Sequence, residues 1–410
     1  MENKTMDCWV LPREVEFMSA LAAGRKSLAI PSDIDWEKFE EYVTQGRVMP
    51  LIGNRLVQFP IDQIRQNPIL EKMFASRNQY AIYSMKQMQT LAFVAKLFAD
   101  AGVRMMSMKG PILAMELYGN PALRFSKDLD VFVAEEDYEK ASALLEQHGF
   151  KEGESVLTKT PLRRQKFEES QEERHHAYEK DDVQIELHWR YSIHIKKTFD
   201  QLWAKRSEKF FMGQVINCFG QEDKLVYLIC HAAGHGFSRL RWLYDIYEMQ
   251  KHEDFSWEEI YKKAQESNVG SVILETMLML YAIPTFDMKD TENELFKVSC
   301  QSGKIHISYD SSIHDDMKRG IGLTDAIYAK LFQHGWKYAF GKRRYDYLMP
   351  LAGEKKSFLQ FVARRFQPCA TELELIDLPD SLYFLYYIIR PLYKIWQLLP
   401  FTKKVTETEH

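Results

Sequence analysis

Residues 124–133 read RFSKDLDVFV, and residues 108–119, just before them, read MKGPILAMELYG. Asp128 and Asp130 stand two apart at the head of an apolar run of strand type, and side chains at i and i+2 of a strand leave the same face. Two carboxylates are therefore aimed at one point. Like charges held that close need a cation between them, and hard oxygen ligands at this spacing suit Mg²⁺ or Mn²⁺. The pair predicts a metal site at Asp128 and Asp130.

The upstream stretch predicts its complement. Val103–Met108 reads as a short buried strand, Lys109 and Gly110 as a tight turn, and Pro111 as the first residue of a helix through Leu113, Met115 and Leu117. A glycine before a helix N-terminus lets backbone N–H groups approach phosphate, and the helix dipole favours the anion. Strand, glycine turn, helix and an Asp-x-Asp strand together suit a metal-bound triphosphate.

Gly110 followed by Asp128-Leu129-Asp130 resembles the signature of the DNA polymerase β-like nucleotidyltransferase superfamily. The LKG-type turn, Arg124 before the aspartates, IELHW, RWLYDI and the late LPDSLYFLYYIIRPL (378–392) are similar to the bacterial group known as uncharacterised nucleotidyltransferases, family 5. The resemblance implies an α+β fold, a small mixed β-sheet flanked by N-terminal and C-terminal helical regions. Boundaries are expected at 1–102, 103–220 and 221–410. One departure stands out. Superfamily members commonly carry Gly-Ser or Gly-Gly at the turn, whereas this chain has Gly110-Pro111, and proline has no N–H to give a phosphate.

The resemblance also implies roles. Asp128, Asp130 and a third acid would hold Mg²⁺ or Mn²⁺, Gly110 and the following helix would take the β and γ phosphates of an NTP, and Lys109 or Arg124 would neutralise charge. Glu186, in the strand-type run VQIELHWRY (183–191), is the candidate third acid. His188, two residues on, reads equally as a substrate ligand or a hydrogen-bonded core histidine. His175 and His176 read as surface residues of a polar strand, joined to the next strand by Asp181-Asp182.

His231 and His235 stand four apart in EDKLVYLICHAAGHG (222–236), a spacing able to bind zinc, but a zinc-protease helix needs glutamate beside the first histidine and here Ala232 follows. Arg239, Arg241 and Asp245 suggest an ion pair between helices. In the family-like reading His231, His235, Arg241 and Asp245 line a substrate cleft opposite the metal site.

Composition sets the outer bounds. The 410 residues are 46% hydrophobic, enough for a large core. With 54 Lys plus Arg against 58 Asp plus Glu, the net charge of −4 gives no general attraction to nucleic acid, which favours a small-molecule, sugar or protein acceptor. Cys8, Cys218, Cys230, Cys300 and Cys369 are scattered, without a C-x-x-C pair, and the N-terminus lacks a signal-peptide pattern; both point to the cytoplasm.

Helices are expected over Pro12–Arg25, Ser32–Gly46 with a serine cap, and Pro68–Ala101, where Met85, Met88 and Phe93 read as core. Glu135–His148 reads as a helix closed by Gly149, Lys151–Glu173 as a hairpin or flap, and Gly303–Asp316 as a loop or short hairpin. Helical patterning resumes at Ala326–Tyr338 and Lys356–Phe366, with a solvated turn at Lys342–Asp346. Ser381–Phe401 is interrupted by Arg390, Pro391 and Lys394, short of the about 20 continuous apolar residues a membrane span requires. It reads as a helix packed on the protein, or else an interfacial helix with Lys403 and Lys404 at its end.

The sequence thus predicts a metal-dependent nucleotidyltransferase acting on an NTP, with a noncatalytic nucleotide-binding or regulatory protein of the same fold as the alternative and γ-phosphate transfer as a third reading. Exchange of Asp128 or Asp130 for Asn is expected to remove metal-dependent nucleotide binding and leave the fold intact.

Overall fold

The structure, a computed structural model, describes residues 1–153, 159–169, 175–191, 197–251, 255–328, 331, 368 and 370–398. Its strands are β1 (Glu2–Asp7), β2 (Met105–Ser107), β3 (Asp128–Val133), β4 (Lys151–Glu152), β5 (His175–Lys180), β6 (Val183–His188), β7 (Ser207–Phe211), β8 (Gln214–Cys218), β9 (Thr291–Glu292), β10 (Phe296–Gln301) and β11 (Lys304–Tyr309). They form a mixed sheet in the order β4-β5-β6-β3-β2-β8-β7 and an antiparallel sheet in the order β1-β11-β10-β9.

The helices of the first half are α1 (Arg13–Ala22), α2 (Trp36–Gln45), α3 (Met49–Arg55), α4 (Ile61–Arg65), α5 (Pro68–Asp100), α6 (Pro111–Tyr118), α7 (Tyr138–Gln147), α8 (Pro161–Glu169) and α9 (Phe199–Trp203). Those of the second are α10 (Gln221–Gly234), α11 (Arg241–Met249), α12 (Trp257–Gln265), α13 (Gly270–Ala282), α14 (His314–Tyr328), α15 (Ala370–Leu375) and α16 (Tyr386–Leu398). No helix among the described residues is long and apolar enough to cross a membrane.

Period-two alternation in β3 separates its two faces. Leu129, Val131 and Val133 join Ile185 and Leu187 of β6 in a core closed by Met88, Leu91, Val94 and Phe98 of α5 and Ala141 and Leu145 of α7. The opposite face carries Asp128 and Asp130, with Phe132 joining a second, larger core. Buried apolar surface stabilises both layers at roughly 25 cal/mol per Å².

Helix α5 connects the two cores. Its 33 residues extend about 50 Å. Leu70 and Met73 pack into the larger core and Met88 to Phe98 into the sheet's core. Asn67 caps its start, accepting from Ile69 N and Leu70 N at 2.9 and 3.2 Å, and Pro68 occupies the first turn where its missing N–H costs nothing. Gly102 follows with φ 72°, a left-handed exit from the helix. Met85 and Phe93, expected in the core, are 50% and 43% exposed, whereas Met88 is buried. They fall outside the buried stripe of the helix.

The larger core joins the start of the chain to helices of its second half. Val15, Phe17 and Met18 of α1 share it with Ile229, Leu243, Ile273 and Leu278 of α10, α11 and α13. Strand β1 pairs with β11, from Glu2 opposite Tyr309 to Asp7 opposite Lys304. The first hundred residues are therefore not purely helical, and Gly303–Asp316 supplies the second strand of the β10–β11 hairpin, the hairpin alternative expected for it, and the start of α14.

Several other expectations resolve locally. Asp35, not Ser32, caps α2, accepting from Lys38 N at 3.1 Å. Glu135–His148 forms a short 3₁₀ turn and α7, closed by Gly149 at φ 83°. The flap region holds β4 and α8, while 154–158 and 170–174 lie outside the described residues. Lys342–Asp346, Lys356–Phe366, Cys369, Lys403 and Lys404 lie outside them as well, as does most of the stretch after Tyr328 assigned to a helix. Pro391 is inside α16.

Candidate active site

The site begins with register. Strands β3 and β6 pair in parallel, with Asp128 opposite Gln184, Asp130 opposite Glu186 and Phe132 opposite His188. Partners in a ladder project from the same face, so Asp128, Asp130, Glu186 and His188 share one side of the sheet. Strand β5 adds His175, register partner of His188.

Lys109 holds the centre. Strand β2 runs antiparallel to β3, and Met108 N donates to Asp130 O at 3.1 Å, so the residue after it arrives beside the aspartates. Lys109 Nζ donates to both Asp130 oxygens at 2.5 Å and lies 3.8 Å from Asp128 Oδ1. His188 Nε2 is 3.2 Å from Asp130 Oδ1 and 3.4 Å from Glu186 Oε2. His175 Nε2 is 3.7 Å from Glu186 Oε1, and its ring centroid is 4.7 Å from that of His188.

Environment separates the three acids. Burial opposes ionisation of Asp130, which is 1% exposed, but Lys109 and His188 outweigh it and hold the carboxyl far below its usual range. At Asp128 burial prevails over Lys109 and, with the neighbouring Asp130 and Glu186, raises the pKa. Burial opposes ionisation of Glu186 as well, but the His188 hydrogen bond together with the charges of His175 and Lys109 lowers its pKa. His188 is raised; burial disfavours its charge, but hydrogen bonds to Asp130 and Glu186 exceed that effect.

This donor set fits a divalent cation. Asp128 and Asp130 both face the Lys109 ammonium, and Glu186 adds a third carboxylate to the same face of the sheet. Among the described residues the three ligand atoms that all lie within 4.8 Å of one another are those of His175, Glu186 and His188, a mixed nitrogen and oxygen set that suits Zn²⁺ or Fe²⁺ rather than the oxygen-preferring Mg²⁺ or Mn²⁺. His175 was read as a surface residue; it is half-buried against the site. His176 is buried too, its Nδ1 2.8 Å from Glu152 Oε1.

The turn before α6 takes the predicted form. Gly110 caps the helix at φ 85° and ψ −147°, and Pro111 fills its first position. A Cβ at Gly110 would meet Asp128 O at 3.8 Å, so the turn lies against the start of β3. Since Pro111 lacks an N–H, Ile112 and Leu113 supply the free donors of the first turn.

The remaining residues divide differently from expectation. Asp245 of α11 pairs with Arg124, not Arg241: Arg124 Nε donates to Asp245 Oδ2 at 2.8 Å and Tyr118 Oη to Oδ1 at 3.0 Å. Arg124 and Asp245 side chains are each 1% exposed. Arg241 Nη1 instead donates to Phe125 O, four residues before Leu129. His231 belongs to the last turn of α10 and His235 is its C-cap, one turn on, with His235 N donating to His231 O at 3.3 Å. Their rings are 4.8 Å apart and pack on Trp242 at 5.5 and 5.4 Å. They are not part of a metal-ligand group of three among the described residues.

Arg239 and Arg241 lie within electrostatic reach of Asp128, and Arg47 within reach of both arginines. Arg47 was missed in the sequence; it follows Gly46, whose carbonyl accepts from Arg241 N at 3.1 Å.

A family model described as uncharacterised nucleotidyltransferase matches residues 32–283. No curated protein matches the chain. Two solved structures are similar: the antibiotic-resistance factor ANT(2″)-Ia, at 11% identity and a TM-score of 0.33 over 46% of this chain and 96% of that one, and an antigenic nucleotidyltransferase-like protein from Paracoccidioides brasiliensis, at 15% identity and a TM-score of 0.30 over 45% of this chain and 91% of that one.

Proposed function

The chain belongs to the family of uncharacterised nucleotidyltransferases, and on that premise we propose that it moves a nucleoside monophosphate from an NTP to a hydroxyl of an acceptor, releasing pyrophosphate. The observation that carries this reading is the shared face of β3 and β6, where Asp130 and Glu186 are register partners and Asp128 stands two residues away.

Asp128, Asp130 and Glu186 would hold Mg²⁺ or Mn²⁺. When bound, the metal polarises the α-phosphate and offsets the charge that develops there. Asp130 stays anionic at any physiological pH because Lys109 and His188 flank it. Lys109, with three donors and a raised pKa despite burial, adds fixed positive charge beside the reacting phosphate. Gly110 and the first turn of α6 receive the β and γ phosphates, and Arg124 adds positive charge behind them. Glu186 takes the proton of the acceptor hydroxyl while His188 orients it. The acceptor oxygen forms the new bond to the α-phosphorus, the α–β anhydride bond breaks, and its electron pair leaves with pyrophosphate.

The chain divides into an N-terminal region (1–102), a nucleotidyltransferase core (103–220) and a C-terminal region (221–410). This division follows the chain, since both flanking regions share one hydrophobic core. His231, His235, Arg241 and Asp245 belong to the substrate side, with Asp245 acting through Arg124. A small molecule, a sugar or a protein is the acceptor class. The free thiols Cys8, Cys218, Cys230 and Cys300 among the described residues, the first and last with their sulfurs 3.2 Å apart and not joined in a disulfide, support a reducing, cytoplasmic setting.

A noncatalytic reading has one observation in its favour. The Lys109 ammonium sits where a cation would bridge the aspartates, and a chain that binds nucleotide without turnover needs no metal there. Product analysis separates the readings. Pyrophosphate together with a nucleotidylated acceptor supports transfer, and nucleotide binding with no product after long incubation with Mg²⁺ or Mn²⁺ and candidate acceptors supports the alternative.

A further inference from the structure

Arg124 lies within electrostatic reach of Asp130, Arg239 and Arg241 within reach of Asp128, and Arg47 within reach of Arg239 and Arg241. Arg124 spends its Nε on Asp245, whose other oxygen is taken by Tyr118. Arg124 Nη1 and Nη2 and Arg241 Nε are buried without a hydrogen-bond partner. Buried guanidinium donors left open in this way are rare in folded proteins and mark a place for an acceptor.

The arrangement is fixed by backbone contacts. Arg241 N donates to Gly46 O at 3.1 Å, which brings Arg47 to the start of α11, and Arg241 Nη1 donates to Phe125 O, which ties the cluster to the segment entering β3. Arg239 is held over the Trp242 ring, its guanidinium carbon 5.2 Å from the centroid. The cluster carries like charges at close quarters. Burial, with repulsion from Arg47 and the other arginines, lowers Arg239 to about 10 and Arg241 to about 9. An anion seated among them relieves both effects.

Gly110 and Pro111 indicate which anion. The α6 turn lies against Asp128 and is short of one N–H donor because of Pro111. We propose that Arg47, Arg239 and Arg241, contributed by the two helical regions, form a polyphosphate-binding platform facing Asp128 that grips the terminal phosphates of the donor nucleotide. The inference rests on the nucleotidyltransferase reading above. Under it the platform replaces the donor lost at Pro111, and the two flanking regions contribute directly to donor binding. Guanidinium forks suit this task because they meet phosphate oxygens two at a time.

The test uses inorganic tripolyphosphate with EDTA present, titrated calorimetrically into the full chain. Wild type binds it without metal. Arg47→Gln and Arg239→Gln, both at half-buried positions, each weaken binding about tenfold or more, and Arg239→Lys recovers part of the loss; thermal unfolding verifies that each variant is folded. Unchanged affinity in both Gln variants, or no metal-free binding by wild type, overturns the platform. The two readings fail separately. If arginine-dependent tripolyphosphate binding is found and no nucleotidyl product forms, the platform stands and the transfer reaction falls. If product forms while both Gln variants bind tripolyphosphate as wild type does, the platform falls and the transfer reaction stands.

Discussion

Lys109 donates to both carboxylate oxygens of Asp130 at 2.5 Å in a site where Asp130 is 1% exposed. This pairing changes what substitution of the aspartates is expected to do. Asp130→Asn removes the partner of a buried ammonium and of His188, and breaking a buried pair on one side costs roughly 3–5 kcal/mol. Asp128, with a side chain 21% exposed and a longer contact to Lys109 of 3.8 Å, lacks that structural role. Urea unfolding of the metal-free protein should show a large loss for Asp130→Asn and little change for Asp128→Asn. Equal stability of the two variants would contradict the assignment. The expectation that either exchange spares the fold is thus kept for Asp128 alone.

Glu186 is held by His188 and His175 rather than by Lys109. Its proposed task lies in the chemical step. Glu186→Gln should leave Mg²⁺-dependent NTP binding within a few-fold of wild type and lower turnover about a hundredfold or more. Single-turnover kinetics read this directly, and unchanged turnover would assign the proton transfer to another residue.

Gly110 has room for a methyl group but not the backbone for one. A Cβ there would make only ordinary contacts, the nearest at 3.8 Å, yet φ 85° with ψ −147° is a conformation that side chains scarcely adopt. Gly110→Ala should cost about 1–3 kcal/mol of stability and weaken NTP binding because the first turn of α6 shifts. A variant as stable as wild type would show that the turn relaxes freely.

Much of this site was legible in the sequence because the periods involved are short. Asp128 and Asp130 declare a common face by their spacing, and Gly110-Pro111 declares a helix start. His175 was also readable. With Asp181-Asp182 as a two-residue turn and Lys180 opposite Val183, the antiparallel register places His175 opposite His188 by counting. The missed features depend on long-range contacts. Nothing near Glu2–Asp7 announces that its partner is β11, about 300 residues later, and nothing in RLRWLYDIY distinguishes an Arg241–Asp245 pair from the Arg124–Asp245 pair that forms. Met85 and Phe93 were misread as core because α5 is a 33-residue helix whose buried stripe changes partners along its length.

The β1–β11 pairing carries a pH dependence. The Glu2 carboxylate lies 2.8 Å from His314 Nδ1 and accepts from Tyr309 Oη at 3.1 Å. The His314 contact lowers its pKa from the ordinary 4.5. A carboxylate lowered on folding contributes stability that is present above the ordinary value and lost as pH falls below it through the folded value. Thermal unfolding from pH 6 downward should therefore show a decline below about 4.5 that is shallower in Glu2→Gln. Identical curves would assign the acid sensitivity elsewhere.

Under the proposed function the shared face of β3 and β6 binds a nucleotide through a divalent metal. Thermal stability with each of the four NTPs, with and without Mg²⁺, in wild type and Asp128→Asn tests it most directly, since a ligand bound only by the native state raises stability by RT ln(1 + [L]/Kd). At least one NTP is expected to stabilise wild type in the presence of metal, and Asp128→Asn is expected to lose this metal-dependent gain. An equal gain in the variant, or no gain with any nucleotide, would contradict it.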